Sequence, residues 1–405
     1  MWHWIRHWRD WVINERLPLS RMRSQAQPMH CSYEKAGLTL HQMPIPWNAE
    51  AVLVEAMLRL PAQTRRKIDF TLRIAGQPII PAESLRRFEG GDDRHRIFFR
   101  LPTPSSTVVA QLMWKEHVLG DTKLTILTAD EFRRDLRLQS PTMFVRIGEQ
   151  SVAAQTFVAT QCRGLMATAM LRSSTYLAPL IDLELHVEFR SERTGLIDDV
   201  PVPMCSSQMS AKEAILSASP RKHPRRMGVW TATWKLGDQV LWTQQVRAIS
   251  QKTFQQSLRI SDTRFVVGTD HGMHLTRQPP TLSETKRVGP AFLVSSREAG
   301  LAGLCPLSIH GQVPGAISPP MLLEKSLLVT DGPTLFAPGT LDVSELGQIS
   351  AFELRMGKQV LGVLSLHPVP EATFNSEGGF RPPPEFSWSP IADEELSERL
   401  GKLLG

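Results

Sequence analysis

Two periodicities divide the chain. Over residues 1–16, Trp4, Ile5, Trp8, Trp11 and Val12 fall on one face of a helix, opposite His3, Arg6, His7, Asp10 and Asn14. From Gly37 the period drops to two. Val52, Val54, Ala56, Leu58 and Leu60 alternate with Leu53, Glu55, Met57 and Arg59 before Pro61, which predicts a strand rather than a helix over 49–60. The clearest alternation runs from Trp230 into Lys235-Leu236, turns at Gly237-Asp238 and leaves through Val240, Trp242 and Val246. A glycine at the first turn position supplies the positive φ of a two-residue hairpin turn.

These patterns repeat. Lys235-Leu236-Gly237-Asp238-Gln239-Val240-Leu241 recurs as Arg355-Met356-Gly357-Lys358-Gln359-Val360-Leu361, and in the same gapless register Thr253-Phe254 recurs as Thr373-Phe374. Upstream, Ala56-Met57-Leu58-Arg59 returns as Ala169-Met170-Leu171-Arg172, and Ile68-Asp69 as Ile181-Asp182. Between copies, Phe132, Leu136-Arg137-Leu138 and Phe254, Leu258-Arg259-Ile260 match at equal spacing. A fainter echo sets Leu183-Glu184-Leu185-His186 against Leu307-Ser308-Ile309-His310, which places His186 and His310 at equivalent strand positions. The first copy's closing hairpin is expected over Val108–Thr128, turning at Gly120-Asp121.

Units of roughly 100–120 residues with turn signals every 8–12 residues resemble immunoglobulin-like β-sandwiches. The resemblance implies an all-β fold: three tandem immunoglobulin-like β-sandwiches with an N-terminal amphipathic helix and a short C-terminal helix. The expected divisions are 1–35, Trp-rich helix and linker; 36–135, 140–256 and 260–375, the sandwiches; and 376–405, a Pro-rich segment and helix. The chain departs from antibody domains in lacking their inter-sheet disulfide and third-strand Trp. The tail reads as extended through Arg381–Pro390 and helical from Ile391, with Ser389 as N-cap and Pro390 at the first helical position.

Composition adds limits. A chain of 405 residues, 41% hydrophobic and 21% charged, suits several folded domains and argues against wholesale disorder. Four scattered cysteines, Cys31, Cys162, Cys205 and Cys305, form neither a Cys-x-x-Cys pair nor a disulfide framework. There is no transmembrane-length apolar run, and Arg6, Arg9 and Asp10 break any signal-peptide core, so the expectation is a cytoplasmic protein.

Chemistry is sparse. His271 and His274 have ligand spacing but no evident third ligand, and Asp92-Asp93 and Asp198-Asp199 read as turns rather than calcium loops. No Gly-x-Ser-x-Gly elbow or phosphate-binding glycine loop occurs, and Cys205 has no histidine near it in sequence. No metal, cofactor or catalytic residue is assigned. The tryptophans Trp114, Trp230, Trp234 and Trp242 read as packing rather than a sugar platform.

The densest basic cluster, Arg221, Lys222, Arg225 and Arg226, lies before the Trp230 hairpin and is the candidate anion-binding site; a solvated loop is the plainer reading. Without interleaved aromatics, nucleic acid is disfavoured. The net charge of +6 allows an acidic partner without requiring one.

The expected function is a non-enzymatic scaffold or adaptor, with Trp4, Ile5, Trp8, Trp11 and Val12 binding a protein partner of unspecified identity. Docking of that helix on the protein's own body, or on a membrane surface as a peripheral tether, stays open. A carbohydrate-binding or hydrolytic site at a sandwich end is the remaining alternative. Oligomeric state is not readable.

Overall fold

The computed structural model describes residues 28–59, 70–87, 94–280, 285–346 and 349–366. The N-terminal tryptophan stripe, Asp92-Asp93, the Pro-rich segment and the C-terminal helix lie outside the described residues. The chain is mostly β, with sheets like those of tandem immunoglobulin-like domains.

The middle unit shows the arrangement most fully. One sheet orders Gln150–Ala153, Arg137–Ile147, Cys162–Arg172 and Glu213–Ala218. Facing it, Ile197–Pro201, Leu185–Ser191, Gly228–Leu236 and Gln239–Ile249 pair antiparallel, and Thr156–Val158 adds in parallel. Sequence alternation makes the core between them: Trp230, Ala232, Trp234 and Leu236 point inward, while Thr231, Thr233 and Lys235 face out.

The first unit packs Tyr33, Val52, Val54, Phe70, Leu72, Phe99 and Leu112 between two sheets of its own. The third buries Phe265, Phe292, Val294, Leu307, Ile309, Phe352 and Leu354. Among the described residues no helix is long and apolar enough to cross a membrane.

The two later units are not separate beads. Thr156–Val158 pairs in parallel with Arg247–Ile249 on one side and, at Thr156 and Phe157, with Leu301 and Ala302 on the other, so that one sheet runs through both units. Side-chain alternation divides this patch between two cores. Phe157, Ala248 and Ala302 enter the second core, and Val158, Ile249 and Leu301 the third.

Gln161 extends the ladder with its amide. Its Nε2 donates to Leu304 O at 2.7 Å and to Gln251 Oε1 at 2.8 Å, while Leu304 N–H donates to Gln161 Oε1 at 2.6 Å. Gly303 lets the aromatic ring of Phe254 close over the strand; a Cβ there would lie 2.7 Å from that ring and 2.9 Å from Val158.

Each boundary carries a short helix, Ala129–Asp135 and Gln251–Ser257, capped by Thr128 and Ser250. Phe132 and Phe254 are wholly buried, which accounts for the repeated Phe-x-x-x-Leu spacing. The first boundary combines apolar and polar contacts: Ala178 and Met209 of the second unit are buried in the first core, and Trp47 packs against Phe132. Buried Lys35 donates to Asn48 O at 2.9 Å and pairs with Asp182 at 2.5 Å, and Asn48 Nδ2 reaches Asp182 at 3.0 Å and Pro179 O at 3.1 Å.

Several expectations are corrected. A strand begins at His30, inside the stretch expected to be linker, because it pairs with Ala51–Arg59. The first hairpin turns at Lys115-Glu116, not Gly120-Asp121. Lys115 takes the positive φ (52°), and a bulge between Val118 and Gly120 absorbs Leu119, which is buried. The later hairpins do turn at Gly237 and Gly357, with φ of 56° and 57°, and share a register shift just before the turn.

His186 faces Lys235 whereas Ser308 faces Arg355, so Ser308, not His310, occupies the position equivalent to His186. Asp198-Asp199 lies on a strand because Ile197–Pro201 pairs with the neighbouring strand. Trp114, Trp230 and Trp234 are buried, but Trp242, on the return strand near its turn, is 47% exposed.

Replacing Gly303 by Ala is expected to cost about 1–3 kcal/mol through overpacking. Gly120→Ala, with open space around it, is expected to stay within about 0.5 kcal/mol. Chemical denaturation of the two variants checks both values.

Candidate functional site

A polar cleft of about 700 Å³ opens where the first junction helix meets the second unit. Asp135, Arg137, Arg172, Ser173, Ser174, Lys212 and Glu213 line it. Its position follows from the chain's course. The junction helix ends at Asp135, the next strand starts at Arg137, and its partner strand ends at Arg172 directly opposite. Glu213 then faces Arg172 from the third strand.

Asp135 organises the floor. Its carboxylate accepts from Ser173 Oγ at 2.8 Å, Ser174 N–H at 2.6 Å and Ser174 Oγ at 2.9 Å. Burial opposes its ionisation, but these three donors together outweigh burial, and nearby Arg137 adds to them, so the carboxyl sits below the ordinary aspartate range. Ser173 N–H donates to Lys212 O at 2.8 Å, tying that lysine's loop to the same floor. Gln42 of the first unit reaches Ser174 O at 3.3 Å.

The cations are less fully used. Arg137 donates through one terminal nitrogen to the carbonyls of Arg134 and Leu136, at the negative end of the junction helix. Arg172 meets Glu213 only at 4.0 Å, with both side chains 61% exposed. Lys212 is exposed and makes no ion pair among the described residues.

A second polar group lies on the outer face of the third unit. His310 Nε2 and Ser308 Oγ are 3.0 Å apart, and His310 Nδ1 lies 3.1 Å from Pro319 O. Burial works against Glu353, yet Gln312 and Arg355 donate to it and hold its carboxyl low. These contacts fasten the Pro319 loop to the sheet.

Of the sequence-derived sites, Trp4, Ile5, Trp8, Trp11 and Val12 lie outside the described residues. Arg221, Lys222, Arg225 and Arg226 are all exposed. Arg221 is anchored, its N–H donating to Asp198 Oδ2 at 2.5 Å and its guanidinium 3.9 Å from the same carboxylate. This basic loop follows the far end of the strand Glu213–Ala218 and contributes nothing to the cleft.

His271 falls in a turn and His274 on a strand, and among the described residues no group of three His, Cys, Asp or Glu side chains converges to hold a metal. No motif in the sequence announces the cleft. Arg137 and Arg172 were visible only as letters in repeated motifs, and their juxtaposition depends on strand register.

No protein-family model matches the chain, and no curated protein matches it. Among solved structures it is similar to surface layer protein SbsC. Domains 6–7 align with 9% identity and a TM-score of 0.24, over 50% of this chain and 89% of that one. Domains 4–9 give 9% identity and 0.30, over 84% and 47%. The I9–I11 tandem from titin gives 11% identity and 0.24, over 79% and 93%. The likeness is to tandem immunoglobulin-like domains at the level of fold. At these scores the architecture rests on the chain's own strand pairing.

Asp135 yields a pH signature. Because its carboxyl is held low, its stabilising contacts are intact above the ordinary aspartate value of 3.8 and are lost as pH falls through the lower folded value. Asp135→Asn is expected to lose about 1 kcal/mol at neutral pH. Urea denaturation in acid should bring the variant and the parent together.

Proposed function

We propose that the chain is a non-enzymatic scaffold or adaptor that holds a protein partner at fixed spacing. The observation that supports this reading best is the strand Thr156–Val158, shared by the sheets of two units and buried in both cores. A body joined in this way keeps its surfaces in constant relation.

The outer face of the sheet Gln150–Ala153, Arg137–Ile147, Cys162–Arg172 and Glu213–Ala218 gives such a body something to present. Phe144, Met166 and Met170 are half-buried there and Ile215 is 71% exposed. Apolar side chains grouped on one solvent-facing sheet suit a protein contact.

In this reading the residues Trp4, Ile5, Trp8, Trp11 and Val12 supply the anchoring contact, with a buried indole contributing about 2–4 kcal/mol. Affinity capture from the native host, comparing the full chain with a deletion of residues 1–16, tests it. The deletion is expected to leave the thermal melt of the body unchanged and to lose the retained partner. Equal capture by both forms would contradict the anchoring role.

A further inference from the structure

We propose that the cleft beside the first junction helix binds a phosphate monoester in its dianionic form. The first ground is an excess of cations: Arg137, Arg172 and Lys212 share the cleft with two carboxylates, Asp135 and Glu213. Arg137 and Arg172 stand directly opposite on adjacent strands, where like charges are destabilising. Arg137 donates to main-chain carbonyls and acts on Asp135 only through charge, and Arg172 has Glu213 at 4.0 Å. Asp135 is occupied by Ser173 and Ser174. Lys212 brings a third cation to the same cleft. A dianion beside the cations offsets their excess charge and receives charge-assisted hydrogen bonds, with the planar arginine fork suited to phosphate oxygens.

The second ground is internal to the molecule, since the third unit builds the same junction without two arginines directly opposed across its strands. There Arg259 faces Ser295 rather than a second arginine, and its Nε lies 3.4 Å from Ser295 Oγ. Ser257 ends the second junction helix as Asp135 ends the first, and Ser296 Oγ approaches it at 3.5 Å. Arg297 follows on the same segment, its N–H donating to Ser257 O, so what the sandwich does not require is the directly opposed arginine pair.

The cleft is open to solvent and leaves room beyond a bare ion. The cleft of about 700 Å³ falls in the range of small-molecule sites and exceeds the needs of a lone phosphate. Met170 and Ile215 pair across the same two strands as Arg172 and Glu213, two residues along each. They lie on the same sheet face just beyond the cleft lining, where an ester's organic group extending out of the cleft meets apolar surface.

Isothermal titration of the full chain at low ionic strength tests the assignment, with phenyl phosphate, inorganic phosphate and phenol as probes. Phenyl phosphate is expected to bind saturably at one site and more tightly than inorganic phosphate, with phenol not binding. Raising pH through the second phosphate ionisation, near about 6, should strengthen binding.

Arg172→Ser, which installs the residue that the third unit carries, is expected to weaken phenyl phosphate about tenfold. Lys212→Ala, at an exposed loop position, should do the same and carries the test even if the arginine variant unfolds. Arg221→Ala/Lys222→Ala should bind as the parent does. The proposal is overturned by the absence of saturable phenyl phosphate binding at millimolar concentration. It is equally overturned if Lys212→Ala binds like the parent, or if the Arg221/Lys222 pair proves to be what binding depends on.

Discussion

Three residues, Thr156–Val158, carry the constraint on which the later two-thirds of the molecule depends. A strand has two faces, and its side chains alternate between them. Here the faces belong to different units, because Phe157 completes one core and Val158 the other. A slip of one residue would exchange the two and spoil both cores at once. The register is thus fixed from both sides, and the backbone ladder with Arg247–Ile249 and Leu301-Ala302 is held where water does not compete for it.

The surrounding residues follow from that constraint. Gln161 continues the ladder with a side-chain amide once the backbone has left the strand. Gly303 keeps the space that Phe254 fills. The first boundary uses different means for a similar end, with Ala178 and Met209 of the second unit buried in the first core and Lys35, Asn48 and Asp182 adding charge and amide contacts. An ion pair with one partner about half exposed to solvent contributes less than a backbone ladder buried between two cores.

Much of this was legible in the sequence. Alternation showed strands, repeated glycines showed two of three hairpin turns, and the Phe-x-x-x-Leu echo marked both boundaries. What escaped was relational. A two-residue turn at Lys115-Glu116 has no glycine to announce it, and Gly120 drew attention to a bulge instead. Thr-Phe-Val is too short to read as a strand, let alone one shared by two sheets. Arg137 and Arg172 are far apart in sequence, and only pairing registers bring them together. Spacing within a repeat identifies strands; which strands meet across a boundary depends on packing.

The second and third units form one body through the shared strand. A distance measurement by double electron–electron resonance tests it most directly. Cys205 is exposed, and hydrogen bonding from Ser207 and from backbone N–H groups lowers its thiol, so it accepts one label; Lys325→Cys, on an exposed position of the third unit, accepts the other. Burial pushes the Cys162 and Cys305 thiols up to about 11 and about 12, which keeps them unlabelled, and Cys31→Ser removes the half-buried fourth. The shared strand predicts one narrow distance population, unchanged by added salt. A broad distribution, or several populations that interconvert, would contradict it.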